Sequence, residues 1–208
     1  MKEKVSILFM LTGILFCVCL ITANLLETKL IAVCGLTLTA GLLVFPISYI
    51  LNDCMVEVWG FRRARFVIFC GFAMNALVAL LGLLAVYLPS AEGWEGETHF
   101  NFVFGLAPRI VVASLAAFLI GSLLNAWVMS RMKRAHGDQR FSLRAIWSTI
   151  VGETADSLVF FPIAFGGLVE WRELVGLMAA QVVLKTAYEV VVLPLTLLIV
   201  KTLRRIES

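Results

Sequence analysis

Residues 110–130 read IVVASLAAFLIGSLLNAWVMS, a run of twenty-one residues with no charge. At ~1.5 Å per residue, a helix of that length crosses the ~30 Å hydrocarbon core of a bilayer. Working outward, three more uncharged runs reach the same length: 5–26, 30–52 and 66–91. Two further runs, 145–169 and 174–200, are as long but hold charges, Glu153 and Asp156 in one, Lys185 and Glu189 in the other. The whole chain of 208 residues is 61% hydrophobic and only 15% charged, with mean hydropathy +0.98. A soluble domain has ~45–50% apolar and ~25% charged residues, so lipid must solvate much of this surface. The expected fold is all-α, a polytopic membrane protein with six transmembrane helices in a single transmembrane domain over 1–208.

The first run follows Lys2 and Lys4 and so resembles a signal peptide, but its apolar stretch is too long for one and no soluble domain follows it. It reads as the first span. Orientation follows from basic residues in short loops. With the N-terminus inside, thirteen Lys and Arg face inward: 2, 4, 62, 63, 65, 131, 133, 134, 140, 144, 201, 204 and 205. Only Lys29, Arg109 and Arg172 face outward. Both termini are therefore expected in the cytoplasm. The outer loop 90–106 holds Glu92, Glu95 and Glu97 and no basic residue, while the inner loop 131–144 is basic and reads as an anchor on anionic headgroups. No loop can bury a core of its own, and no phosphate-binding Gly-x-x-x-x-Gly-Lys-Ser/Thr loop occurs, which argues against a nucleotide-driven pump acting alone. A net charge of +3 is too mild to suggest nucleic acid. Cys17, Cys19, Cys34 and Cys70 lie inside apolar runs and Cys54 near the end of one, as small hydrophobes rather than a disulfide framework. Cys17 and Cys19 point apart on a helix and make a poor metal pair. No metal, cofactor or catalytic residue is expected.

An ionisable group at bilayer depth costs ~2.5–3.5 kcal/mol on insertion scales and persists only against protein or water. Glu153 and Asp156 are three apart and share a helix face; Gln181, Lys185 and Glu189 are spaced by four and form one stripe. Lys185 and Asp156 are expected to face each other across the fifth and sixth helices, as a structural ion pair or as part of a polar substrate site. Gly71, Asn75, Ala79 and Gly82 make a small-residue stripe, as do Ala113, Ala117, Gly121 and Asn125. Close helix packing explains the Gly and Ala residues. It explains the amides of Asn24, Asn75 and Asn125 less well, because a buried amide needs partners, whether from another helix or from a ligand. Phe45-Pro46-Ile47 and Phe161-Pro162-Ile163 form a weak internal echo of the kind seen in inverted-repeat transporters.

The most distinctive stretch is 46–65, PISYILNDCMVEVWGFRRAR. Asn52, Asp53 and Glu57 cluster on a helical continuation toward the cytoplasm, and Arg62, Arg63 and Arg65 follow Gly60. Acidic groups at an inner face need a pairing partner, and Trp59 and Phe61 suit headgroup depth.

This string, followed by Gly71-Phe72 and Asn75, resembles the queuosine precursor transporters, also called the vitamin uptake transporter family. Asn24, Lys29 and the segment Gly152-Glu153…Asp156-Ser157 are similar to the family pattern too, from about Asn24 to about Glu189. Glu153 and Ala155 depart from it, adding a carboxylate beside Asp156. The resemblance implies six spans and uptake of 7-cyano-7-deazaguanine, its aminomethyl form or queuine across the bacterial inner membrane, for tRNA queuosine salvage. It also implies likeness to the substrate-binding membrane subunits of vitamin importers, without their ATPase module. A carboxylate can accept two adjacent N–H groups of a guanine-like edge and amides can read the remainder. Asp156 or Glu153 suits the guanidine edge, Asn24 and Asn75 the carbonyl edge, and Tyr49 or a Phe the ring face. Glu189 could hold the cation of the aminomethyl and queuine forms. Asn52, Asp53, Asn125, Gln181 and Lys185 complete the expected substrate-binding set. The partners are then a small-molecule deazaguanine and the lipid bilayer; a homodimer stays open.

A carrier for another small vitamin or nucleobase would share this fold. An intramembrane enzyme is disfavoured by the lack of a Gly-x-Ser-x-Gly elbow and a His-Glu-x-x-His helix, with His99 and His136 expected in loops on opposite faces. A purely structural subunit would not need several charged and amide groups at mid-depth.

Overall fold

The computed structural model describes residues 6–33, 35–136 and 141–207. Helix α1 spans Ile7–Leu26, opened by Ser6, whose Oγ accepts the Phe9 N–H at 3.1 Å. An antiparallel hairpin follows, β1 (Leu30–Val33) paired with β2 (Leu36–Thr39), Leu30 opposite Thr39. A 3-10 turn (Ala40–Leu43) leads into α2 (Phe45–Cys54), and a π-helical turn (Met55–Trp59) ends at Gly60. The long helices are α3 (Phe61–Val86), α4 (Glu97–His136), α5 (Phe141–Phe165) and α6 (Trp171–Glu207).

The hairpin corrects the single helix expected over 30–52, while the described chain is otherwise mostly helical, as expected. Ile31, Val33, Thr37 and Thr39 are β-branched and favour strands. Gly35 sits in the hairpin turn at φ +80°, where L side chains are strained. Pro46 lies in the first turn of α2, where its missing N–H leaves no gap. Pro162, by contrast, lies within the continuous α5. Residues 97–106, expected in an outer loop, form the start of α4, so His99 is helical and His136 closes the same helix. Met1 to Val5, Cys34 and residues 137–140 of the basic inner segment lie outside the described residues.

The elements divide between two compact units. The first comprises Met1–Lys29, Ala40–Pro108 and Tyr188–Ser208; the second comprises Leu30–Thr39 and Arg109–Ala187. In the first unit α1 and α3 run parallel. A Cβ on Gly13 would meet the Val67 methyls at 3.4 Å, and one on Gly71 would meet Leu20, Cys17 and Phe16. Further along α3, Gly82 receives the Phe104 ring of α4 and has no room for a side chain. The π-helical turn is tied to the end of α6: Arg204 donates to the Glu57 carboxylate at 2.6 Å, and Trp59 donates to Glu207 at 3.1 Å while packing on Phe9. Glu57 thus finds the basic partner expected for it from the sequence.

In the second unit α4 and α5 touch backbone to backbone at Gly121 and Gly152. Arg109 of α4 reaches the end of α5, donating from Nε to the Ile163 carbonyl and from Nη2 to the Gly166 carbonyl, both at 2.5 Å. The last carbonyls of a helix have no intrahelical donors, and this guanidinium supplies them. Arg109, counted as a loop cation in the sequence, therefore acts as a helix cap.

Among the described residues, four helical segments are long and apolar enough to cross a membrane: Ile7–Leu26, Phe61–Val86, Glu97–Asn125 and Trp171–Val192. Leu77, Leu80, Leu81 and Leu84 of α3 are each more than half exposed, an apolar stripe that water would not tolerate and lipid does. The chain is a multi-pass membrane protein.

Replacing Arg109 by Met should lower the melting temperature of the detergent-solubilised protein by several degrees, because two charge-assisted hydrogen bonds of about 1.5–3 kcal/mol each disappear. Lys at the same position should recover only part of the loss, since it cannot fork to two carbonyls. Melting curves of the three proteins by size-exclusion after heating make the comparison; a Met variant as stable as the parent removes the capping role.

Candidate functional site

Two buried amides of the first unit, Asn24 and Asn75, lie on the α1–α3 seam. On α1, Gly13, Cys17, Leu20, Asn24 and Glu27 follow at intervals of three or four, so they share one face. Gly13 opposite Val67, and Cys17 with Leu20 opposite Gly71, fix the parallel register. One further turn brings Asn75 level with the turn of α1 that carries Asn24. Asn24 is 4% exposed and Asn75 2%, and the Nδ2 of each has no hydrogen-bond partner among the described residues. An unsatisfied buried amide costs about 1–3 kcal/mol, so two such donors on one seam call for a counterpart. Past Asn24, at the C-cap of α1, the Glu27 side chain is completely buried beneath Gly41 of the 3-10 turn.

Asn52 and Asp53 sit half-buried in the last turn of α2, and the Asn52 Oδ1 also lacks a partner among the described residues. The π-helical turn that follows carries one residue more than an α-helix would, a distortion concentrated at functional sites. The Tyr49 side chain lies outside the described residues.

The second unit holds the charged cluster. Lys185 Nζ lies 3.2 Å from Asp156 Oδ2 and 3.3 Å from Glu153 Oε2. The facing of Lys185 and Asp156 across α5 and α6 is as the sequence predicts, and the added carboxylate Glu153 shares the same ammonium. The Lys185 side chain is 4% exposed, that of Glu153 14% and that of Asp156 24%, so the cluster opens on its Asp156 side. One turn before Lys185, the Oε1 of buried Gln181 accepts from the Thr39 hydroxyl of the hairpin at 3.4 Å. Asn125 of α4 stands over Gly152, whose missing side chain leaves room for it, and Asp156 packs over Gly121. Gly121, Asn125, Gly152 and Asp156 thus interleave on the α4–α5 contact. Glu189, expected on the stripe of Gln181 and Lys185, is half-buried and falls in the α6 segment of the first unit.

Sequence reasoning passed over Glu27. Its place just beyond an uncharged run makes it look like a solvated loop residue. The readable signal is its spacing of three from Asn24, which carries the buried face of α1 one step further.

The family described as "Putative vitamin uptake transporter" matches residues 39–199. Among curated proteins, the chain is 30% identical over 151 residues to the "Queuosine precursor transporter" of Escherichia coli (strain K12), covering 73% of this chain and 63% of that protein. It is 26% identical over 175 residues to the "Probable queuosine precursor transporter" of Bacillus subtilis (strain 168), covering 84% and 76%. With the Haemophilus influenzae protein of the same description it shares 33% over 133 residues, covering 61% and 52%. The match thus spans less than two thirds of the length of the Escherichia coli and Haemophilus influenzae proteins. No solved structure gives a significant match. The family match takes in α2, the π-helical turn, α3, α4, α5 and most of α6, and on it the chain belongs to the vitamin uptake transporter family, the queuosine precursor transporters.

Proposed function

We propose that this protein imports queuosine precursors, the 7-deazaguanines 7-cyano-7-deazaguanine, its aminomethyl form and queuine, across the bacterial inner membrane for tRNA queuosine salvage. The observation that carries this reading is the similarity to three curated proteins with queuosine precursor transporter names. The chemistry agrees with it. A cargo with a carbonyl edge and a guanidine edge supplies acceptors for stranded amide donors and donors for buried carboxylates.

Six crossings fit the backbone. Parallel α1 and α3 support this count, because the chain between them has to return across the membrane. The bias of basic residues supports a cytoplasmic position for both termini.

The residues proposed to meet the cargo are taken unit by unit. In the first, Asn24 and Asn75 donate to the carbonyl edge, with Asn52, Asp53, Tyr49 and Glu189 as further contacts. In the second, Glu153, Asp156 and Lys185 act with Asn125 and Gln181. Two carboxylates around one ammonium carry an excess negative charge, and burial strengthens its pull on a cation. This triad is proposed to favour the precursors that carry an amine over the neutral cyano form. The family's vitamin description favours a second reading, a carrier for another small vitamin or nucleobase with the same fold.

Expressed in cells unable to make the base, the protein should restore queuosine in tRNA when a precursor is supplied at low concentration, measured by mass spectrometry of tRNA digests. Restoration by none of the three precursors, with the protein present in the membrane, rejects the reading. Asp156→Asn should weaken uptake of the aminomethyl form about tenfold more than uptake of the cyano form, as fits the loss of one charge-assisted contact. Competition uptake with both bases tests this, and equal losses remove the charge role. Lys185→Met should lower both the amount of folded protein and uptake by more than tenfold, because breaking a buried pair costs about 3–5 kcal/mol.

A further inference from the structure

The start of α3 gathers positive charge where helix electrostatics already supplies it. A helix N-terminus carries about half a positive charge, so acidic residues are the stabilising choice there. The first turn of α3 has none, and Arg62, Arg63 and Arg65 follow its first residue, Phe61. The N-cap, Gly60, stands at φ +87°, and no side chain caps the first-turn N–H groups among the described residues. Cations stacked on the positive end of a helix call for an anion.

The arginines line an open cavity of ≈ 1080 Å³, and Gly60 borders the same space. Phe9 and Trp59 line it too, their ring centroids 5.4 Å apart, and the Trp59 indole is held by its hydrogen bond to Glu207. The Arg65 guanidinium lies over the Phe61 ring, 5.9 Å from its centroid. No acidic side chain lines the cavity among the described residues.

The remaining walls define the kind of anion. Phe66 and Phe69 follow Arg62 and Arg65 at intervals of three and four, so the guanidiniums and the two rings share one helix face. The same spacing runs on through Ala73 to Leu77, Leu80 and Leu84. Both phenylalanines and all three leucines are more than half exposed. With 26 residues, α3 is longer than the ~20 that cross the hydrocarbon core, so its first turns reach headgroup depth. A guanidinium forks onto phosphate oxygens. Arginines at headgroup depth above an apolar stripe fit a molecule with a phosphate head and a hydrocarbon tail; a soluble anion would leave the stripe unused.

We propose that the cavity at the start of α3 binds one anionic phospholipid, its phosphate held by Arg62 and Arg65 at the helix N-terminus and an acyl chain lying along Phe66 and Phe69. The site is separate from the residues assigned to cargo and stands whichever molecule is carried.

The test uses the full-length protein in detergent, titrated with phosphatidylglycerol, with phosphatidylcholine of the same acyl chains, or with inorganic phosphate. Native mass spectrometry counts the bound lipid. The parent protein should bind phosphatidylglycerol about tenfold more tightly than phosphatidylcholine. Arg62→Gln with Arg65→Gln should erase that preference, as fits the loss of one or two charge-assisted hydrogen bonds. Arg131→Gln with Lys201→Gln removes the same charge outside the cavity and should leave the preference within about threefold of the parent, the scatter expected when no such bond is lost. If the first double variant does not accumulate, its two single changes decide, and each should lower the preference about threefold. The assignment is overturned if the parent binds both lipids equally, if every cavity variant that accumulates keeps the preference, or if the control pair loses as much. Displacement of phosphatidylglycerol by millimolar inorganic phosphate also overturns it, in favour of a soluble-anion site.

Discussion

A hydrocarbon interior offers no hydrogen bonds, so every polar atom carried into it must be answered by another atom of the protein or of a bound molecule. That constraint orders this structure. It turns Arg109 into a cap on the last carbonyls of α5. It gathers Glu153 and Asp156 around Lys185 and gives Gln181 the Thr39 hydroxyl. At Asn24 and Asn75 the amide Nδ2 groups lack internal partners among the described residues.

The two units meet the constraint differently. In the second unit the buried charges are paired and the backbone of α4 lies against that of α5, while the hydroxyls of Ser157 and Thr186 have no hydrogen-bond partner among the described residues. In the first, close approach of α1 and α3 is bought with Gly13 and Gly71, and the seam that results ends in amides and a carboxylate.

Much of this was legible beforehand, for identifiable reasons. Uncharged runs of about twenty residues have no soluble explanation, so α1, α3 and α4 could be read from composition. The pairing of Lys185 with Asp156 followed from the expense of leaving either alone in lipid. The 46–65 string resembled its family closely enough to name it. What the sequence concealed was local. A run such as 30–52 satisfies any hydropathy window, yet the β-branched Val33, Thr37 and Thr39 with Gly35 make a hairpin of its first half. Hydropathy counts side chains and not backbone geometry, so it also misses the π-helical turn at Met55–Trp59 and the early start of α4. Glu27 escaped because a charge at the edge of an apolar run is ordinarily wet, and only the packing of Gly41 over it shows otherwise.

The contact between Gly121 and Gly152 carries a further consequence. With no side chains between them, the two backbones interlock, and neither helix can slide along the other without lifting away entirely. Asn125 and Asp156, mounted on either side of that contact, are therefore set at a separation dictated by the two backbones. They act as a fixed gauge set by the two glycine backbones.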